Sequence, residues 1–229
     1  MSESRLKKDR ETISGMFNAI AGKYDFLNHL LSFGIDRWWR RKLVKAVTGS
    51  GASEVLDVAS GTGDVAIALD RKGIAVIGVD ISERMLDIAR KKAPHITFLT
   101  GDASCLDFPD NSFDAVTIAF GIRNFDKRPD CIRELLRVLK PGGLLAIAEF
   151  SIPGNRLWKA LYSFYFLRIL PVIGRIVSGQ KGTYSYLPES SFDFPAPELF
   201  CNELAEGGFR DISFRPMTGG ISILYKGYK

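Results

Sequence analysis

An apolar run that breaks into glycines constrains this chain more than anything else in it. Val55-Leu56-Asp57-Val58 leads into Ala59-Ser60-Gly61-Thr62-Gly63-Asp64, helical spacing then resumes, and Val79-Asp80-Ile81 places an acid 23 residues after Asp57. Strand, glycine turn and helix in that order open a Rossmann-like sheet of the kind that holds an adenosine cofactor. Gly61 and Gly63 turn tightly and let the backbone approach a ligand where a Cβ would obstruct. Asp80 ends the next strand, where a carboxylate accepts hydrogen bonds from both ribose hydroxyls.

The glycines alone do not choose the cofactor, because Gly61-Thr62-Gly63-Asp64-Val65-Ala66 also satisfies the looser G-x-G-x-x-A dinucleotide pattern. Two acids favour S-adenosylmethionine. Asp57, at the strand end, can accept from the cationic amino group of a methionine moiety. Asp64 sits at the helix N-terminus, where its charge would repel the pyrophosphate that the helix dipole otherwise favours. A nicotinamide oxidoreductase on a similar fold stays open as the alternative.

With 229 residues, 46% of them hydrophobic, and no visible linker, one domain spanning 1–229 is expected. Cys105, Cys131 and Cys201 are odd in number and far apart, which indicates neither a disulfide framework nor a zinc site and fits a reducing, cytoplasmic setting. His29 and His95 are too few for a histidine metal centre, and no metal is expected. Met1 to Glu11 is charged and no apolar segment follows, so no targeting segment is expected. The net charge of +5 permits an acidic partner. Arg37, Arg40, Arg41, Lys42 and Lys45 share a stretch with Trp38, Trp39, Leu43, Val44 and Val47, giving a helix one basic and one apolar face. A solvated face over a core stripe and a membrane-facing surface both satisfy that pattern. Nucleic acid is not expected as a partner, since base-stacking aromatics among Lys and Arg are not apparent.

From Ala52 to Phe150 apolar runs alternate with helical patterns in the rhythm of a parallel sheet. Strands are expected at Val55 to Val58, Ala75 to Val79, Ile96 to Thr100, Phe113 to Phe120 and Leu144 to Ala148. Ser82 caps a helix through Arg90, and Pro141-Gly142-Gly143 stops another that carries Ile132, Leu135 and Val138. Pro197 to Gly207 reads as a helix, and Phe209 to Phe214 with Ile221 to Lys226 as a closing antiparallel hairpin. The organisation is therefore a helical cap over 1–50, a cofactor-binding core over 52–150, a substrate-covering insertion over 152–195 and completion of the sheet over 196–229. The insertion is rich in aromatic and apolar residues, but Lys159, Arg168 and Arg175 interrupt it short of the roughly 20 residues of a membrane span.

In an open α/β sheet, ligands bind beyond the carboxyl ends of the strands. There Asp102 can accept from an adenine amino group and Ala103 can supply a backbone N–H; a simple turn acid explains Asp102 equally. Arg123-Asn124 leaves a buried strand where the sulfonium methyl would point, unless Arg123 pairs with an acid such as Asp25 or Glu149. Tyr24, Asp25 and Asn28 near the N-terminus, and Tyr184, Tyr186 and Glu189 after the insertion, offer phenol and carboxyl groups able to fold over the cofactor, or ordinary capping and turn chemistry.

These residues resemble the UbiE/MenG family of quinone-biosynthesis C-methyltransferases over nearly the whole chain. The matching pieces are Phe17-x-x-Ile20-Ala21-x-x-Tyr24-Asp25-x-x-Asn28, Ser32-x-Gly34-x-Asp36-Arg37-x-Trp39, Gly61-Thr62-Gly63-Asp64, Phe120-Gly121-Ile122-Arg123-Asn124, Leu139-Lys140-Pro141-Gly142-Gly143 and Tyr184-x-Tyr186-Leu187-x-Glu189-Ser190. Ala119 departs from members that carry Ser before Phe-Gly, and the run Ser191 to Pro195 is less typical.

The resemblance implies a class I Rossmann-like methyltransferase: a seven-stranded, mostly parallel sheet with a C-terminal antiparallel hairpin, N-terminal helices and a helical insertion after strand 5. It implies methylation of a ring carbon on a polyprenyl quinol, either demethylmenaquinol or a methoxy-benzoquinol, with Thr62, Asp80, Asp102 and Ala103 at the cofactor. Arg123, Asn124 and Tyr24 would then hold the base and stabilise phenolate charge, with Asp25, Asn28, Tyr184, Tyr186 and Glu189 at the substrate. An insoluble tail also calls for an opening toward the inner face of an anionic membrane. The segment from Pro153 to Gly182 is the candidate for that route, or for a homodimer interface.

Overall fold

The computed structural model describes residues 9–169 and 183–229. Its centre is a seven-stranded sheet of β1 (Glu54–Val58), β2 (Ala75–Asp80), β3 (Thr97–Thr100), β4 (Phe113–Ala119), β5 (Leu139–Phe150), β6 (Arg210–Met217) and β7 (Ser222–Tyr228). The spatial order is β3-β2-β1-β4-β5-β7-β6. β1 to β5 run parallel, and β7 lies antiparallel between β5 and β6. The order reverses between β1 and β4, which opens a crevice at their carboxyl ends.

The central strands are apolar on both sides because helices cover both faces. On one face Leu56, Val58, Val116 and Ile118 pack with Ile132, Leu135 and Val138 of α5 (Arg128–Val138). On the other, Val55, Ala115 and Leu144 meet Trp39, Leu43 and Val47 of α2 (Ile35–Thr48). α3 (Asp64–Asp70) and α4 (Glu83–Lys92) follow β1 and β2, and the Ser82 hydroxyl caps α4 by accepting from the Met85 amide.

β5 begins earlier than the sequence suggests. Pairing already joins Phe113 to Leu139, the register shifts, and regular pairing resumes at Ala115 with Leu144. Lys140 to Gly143 form the intervening irregularity, where Gly142 has φ +75° and a Cβ on Gly143 would come 2.8 Å from the Lys140 carbonyl. β6 also runs further, through Pro216 to Met217, and tolerates the proline because it is the edge strand.

α1 (Arg10–Leu31) lies across the crevice and against α4. Its Ser14 hydroxyl donates to the Ile81 carbonyl (3.2 Å), and the Ser82 hydroxyl donates to Asn18 Oδ1 (2.8 Å), so the turn after β2 is bonded to the helix above it. α6 (Arg156–Phe164) continues as a π-helical turn, Tyr165–Ile169. α7 (Thr183–Asp193) is helical where the sequence left turn chemistry open, and it contains Pro188. α8 (Pro197–Glu206) packs on β6 and β7. Ile173 and the rest of 170–182 lie outside the described residues. Among the described residues, no helix is long and apolar enough to cross a membrane.

Candidate active site

Two strands leave the sheet through residues with left-handed backbone, Ala59 after β1 (φ 54°) and Phe120 after β4 (φ 61°). Such φ values are uncommon outside glycine and concentrate at functional sites. They turn both exits away from the sheet and bring them so close that a Cβ on Gly121 would lie 2.5 Å from the Ala59 Cβ. Between them opens a cavity of about 280 Å³, walled by Ala59, Gly61, Asp80, Asp102, Ala103, Phe120 and Asn124, and covered by Ile13, Phe17 and Tyr24 of α1.

Its polar lining fits S-adenosylmethionine. Asp80 Oδ2 accepts from the Gly61 amide and Oδ1 from the Ser82 amide, each at 2.8 Å. The carboxylate also takes the Ile81 amide and keeps acceptor capacity for a ribose hydroxyl. Burial raises the Asp80 carboxyl against those amide bonds, which lower it. A Cβ on Gly61 would have nothing within 4 Å, so the bare glycine leaves open space beside Asp80. Asp102 accepts from the Ser104 amide (2.8 Å) and hydroxyl (2.7 Å) on Oδ1, which leaves its other oxygen for an amino group.

Asp57, Thr62 and Gly63 are not in this lining. Asp57 is 1% exposed, takes the Thr117 hydroxyl on Oδ1 (2.6 Å), and burial pushes its carboxyl up to about 7. The Thr62 hydroxyl donates to Asp25 of α1 (2.5 Å). Gly63 has φ +82°, and a Cβ there would lie 2.9 Å from the Phe98 ring; its task is the close passage of the turn over β3.

A smaller cavity of about 60 Å³ adjoins the first and shares Phe17, Tyr24 and Phe120 with it. Met16, Ile20, Phe150 and Leu187 make its walls apolar, while Asn28, Ser32, Asp36, Arg40, Arg123 and Tyr186 are the other polar groups. Arg123, 4% exposed, gives Nη1 to Glu149 (2.8 Å) and to the Phe120 carbonyl, and Nε to Ser190 (3.3 Å). Among the described residues that leaves the two Nη2 hydrogens for a group in the cavity. The Tyr186 hydroxyl donates to Asn124 (3.1 Å), linking the linings of the two cavities. Tyr24, bonded to Asn28, is raised by burial, with Arg40 and Arg123 pulling the other way.

The sequence-predicted residues thus divide. Asp80, Asp102, Ala103, Gly61 and Asn124 meet at the first cavity, Asn28, Arg123 and Tyr186 at the second, and Tyr24 at both. Asp25 lies in neither lining and is held by Thr62 and Lys92 (2.6 Å). Glu189 is exposed and outside both; Tyr184 belongs to α7, with its side chain outside the described residues. Phe17, Phe120, Asp36 and Arg40 are lining residues to which sequence reasoning gave no role at the site. Phe17, Phe120 and Asp36 stood in the matching pieces. Arg40 was read as part of a basic surface, yet its guanidinium bonds Asp36 and stands 5.3 Å from the Phe120 ring centre. The apolar face of α2 needs a similar correction: Trp39 is buried, whereas Trp38 is 40% exposed.

A family model described as the ubiE/COQ5 methyltransferase family matches residues 4–229. The "Ubiquinone/menaquinone biosynthesis C-methyltransferase UbiE" of Geobacter sulfurreducens is 50% identical, the alignment covering 98% of this chain and 91% of that protein. The "Demethylmenaquinone methyltransferase" of Chlorobaculum tepidum is 45% identical, over 97% of this chain and 94% of the relative. A solved S-adenosylmethionine-dependent methyltransferase of Thermotoga maritima shares the fold with a TM-score of 0.65 at 21% identity, covering 94% of this chain and 99% of that one.

Proposed function

Because the chain belongs to the ubiE/COQ5 methyltransferase family and is an S-adenosylmethionine-dependent methyltransferase, we propose that it methylates a ring carbon of a polyprenyl quinol, with demethylmenaquinol as the favoured substrate. Family membership also closes the nicotinamide alternative that the glycine pattern left open. The observation that carries the substrate reading is the pair of adjoining cavities, one polar enough for the cofactor and one where apolar walls alternate with polar and charged groups, meeting at Tyr24 and Phe120.

When bound, S-adenosylmethionine supplies an electrophilic methyl group on a sulfonium sulfur that leaves as a neutral thioether. Asp80 takes the ribose, and Asp102 with the Ala103 amide takes the adenine. Phe17, Phe120 and Phe150 hold the quinol ring in a dry slot. A quinol carbon becomes nucleophilic as its hydroxyl loses the proton, and Arg123, permanently charged, stabilises the oxygen that is left. Tyr24 and Asn124 orient the ring, and this positioning supplies much of the rate.

The tail leaves the second cavity toward an apolar surface. Phe26, Leu30, Phe33, Ile35 and Trp38 are exposed on α1, α2 and their connection, as are Leu157, Trp158, Leu161, Phe164 and Leu167 from α6 onward. Phe33 and Tyr165, with ring centres 5.9 Å apart, join the two groups. Exposed Arg37, Arg41, Lys45, Lys159 and Arg168 lie among them, which suits an anionic membrane surface and salt-sensitive, peripheral attachment. The purified protein should float with anionic liposomes at low salt and less so at high salt, and Leu161→Asp or Leu167→Asp should weaken flotation. Absence of flotation at low salt removes the membrane role.

The substrate reading is tested with purified protein, S-adenosylmethionine, and two reduced short-chain quinols, one naphthoquinol and one methoxy-benzoquinol, with mass detection. Preferential methylation of the naphthoquinol is expected. Methylation of neither overturns the reading.

A further inference from the structure

The second cavity has a carboxylate in its wall that the steps above do not use. Asp36, in the first turn of α2, is 4% exposed and lines that cavity with Tyr24, Arg40 and Arg123. Its Oδ1 accepts from the Ser32 hydroxyl (2.8 Å), and its Oδ2 meets both Arg40 and His29 Nδ1, the latter at 2.8 Å. An ionised carboxylate offers about four acceptor positions. Three are filled, and the fourth, on Oδ1, is left for a group in the cavity. Burial raises this carboxyl, but Arg40, Ser32 and His29 outweigh it and hold Asp36 below its ordinary value, so it is ionised at neutral pH. His29, by contrast, has a side chain 25% exposed.

We infer that Asp36 is the carboxylate that takes the quinol hydroxyl proton, and that His29 acts through it as a positioning residue whose charge sets its strength as an acceptor. This rests on the quinol reading above. The quinol O–H bond breaks, its electron pair stays on oxygen, and the proton moves to Asp36 Oδ1. The ring carbon forms its bond to the methyl group as the carbon–sulfur bond breaks with its pair going to sulfur. The ring C–H bond then breaks, its pair restores the aromatic ring and its proton leaves to water, while Asp36 returns its own proton to the quinol oxygen. One proton is released per methyl transferred. Neutral His29 donates from Nδ1 and fixes the carboxylate; protonated His29 adds a second cation beside Arg40 and makes Asp36 a poorer acceptor.

Among the described residues, the charged and titratable groups around the pair are few. Tyr24 faces it from α1, Arg40 from α2, Arg123 from the exit of β4 and Tyr186 from α7, with Asp64 of α3 behind Arg40 at 3.9 Å. Of these, Arg40 shares Asp36 Oδ2 with His29, and its charge is fixed.

The test uses the full chain and four variants. Asp36→Asn should lower kcat about a hundredfold, within the range of general base catalysis, with S-adenosylmethionine affinity unchanged. His29→Asn, a neutral donor, should keep activity near pH 8 and lose the acid limb of the wild-type kcat profile. His29→Lys, a fixed cation, should lower kcat at every pH. A second readout omits the methyl donor: 2-prenyl-1-naphthol should bind the wild type about tenfold more tightly than its methyl ether, and Asp36→Leu should abolish that preference. If His29→Asn and His29→Lys both keep the wild-type kcat profile, or Asp36→Leu keeps the hydroxyl preference, the assignment is wrong. A wild-type enzyme that methylates quinols while its variants do so unchanged overturns this inference alone; one that methylates no quinol overturns the functional reading and this inference with it.

Discussion

Thr62 donates its hydroxyl to Asp25 across 2.5 Å, so the glycine turn of the sheet is bonded to the helix that roofs the larger cavity. Lys92 of α4 reaches the same carboxylate at 2.6 Å and Asp64 at 3.0 Å, which makes the bond part of a network joining α1, α3 and α4. Burial lowers the Lys92 ammonium, but its two carboxylate partners outweigh that and hold it above its ordinary value.

Asp25→Ala should therefore loosen the roof and leave the sheet intact. The Asp25 and Lys92 side chains are 28% and 31% exposed, so the loss of stability should be only about 1 kcal/mol. Hydrogen exchange should quicken in Arg10–Leu31 and stay unchanged in β1 and β4. Equal acceleration in both would show that Asp25 stabilises the whole domain and not the roof.

Asp80→Ala should weaken S-adenosylmethionine binding by about 1.5 to 3 kcal/mol, the range for hydrogen bonds to a charged acceptor. Calorimetry on the purified variant measures this directly. Unchanged affinity would remove Asp80 from the cofactor site.

Arg123 and Glu149 form a buried pair, with side chains 5% and 0% exposed. Arg123→Ala should cost about 3 to 5 kcal/mol of stability, because it strands the carboxylate. Arg123→Met with Glu149→Leu should recover most of the thermal stability and still lack turnover. Recovered turnover in that double variant would mean that Arg123 serves folding and not the quinol.

Burial lifts Asp57 to about 7. The folded protein therefore holds this proton more tightly than the unfolded chain does, and stability falls as pH rises from the ordinary aspartate range through about 7, then levels. The cofactor-free protein should lose as much as about 4 kcal/mol across that window from this group. Denaturant titrations at several pH values should show a shallower decline for Asp57→Asn. An identical decline would place Asp57 at an ordinary value in the fold.

Much of the sheet was legible in the sequence because β1, β4 and the centre of β5 are covered on both faces, which forces continuous apolar runs between turn signals. Asp80 was legible for a related reason, since the residue ending a strand beside the glycine turn has little choice of position. The start of β5 was hidden by Pro141-Gly142-Gly143, which reads as a stop but is accommodated as an irregularity. Glu189 and Ser190 could not be told apart without knowing that α7 runs through Pro188; the helix buries Ser190 against Arg123 and leaves Glu189 outside. The place of Asp36 and Arg40 at the cavity was illegible, although Asp36 stood in a matching piece, because helical periodicity gives the faces of α2 and says nothing of what lies opposite them. Only the folded chain shows that Phe120, eighty residues onward, is under Arg40.

The central claim is that the quinol ring occupies the second cavity and meets the cofactor at Tyr24 and Phe120. A crystal structure with S-adenosylhomocysteine and a short-chain demethylmenaquinol tests it most directly. The ring is expected between Phe120, Phe150 and Leu187, its unsubstituted carbon facing the cofactor's sulfur and a hydroxyl within hydrogen-bonding distance of Asp36 or Arg123. A quinol bound elsewhere, or one presenting an oxygen to the sulfur, would contradict it.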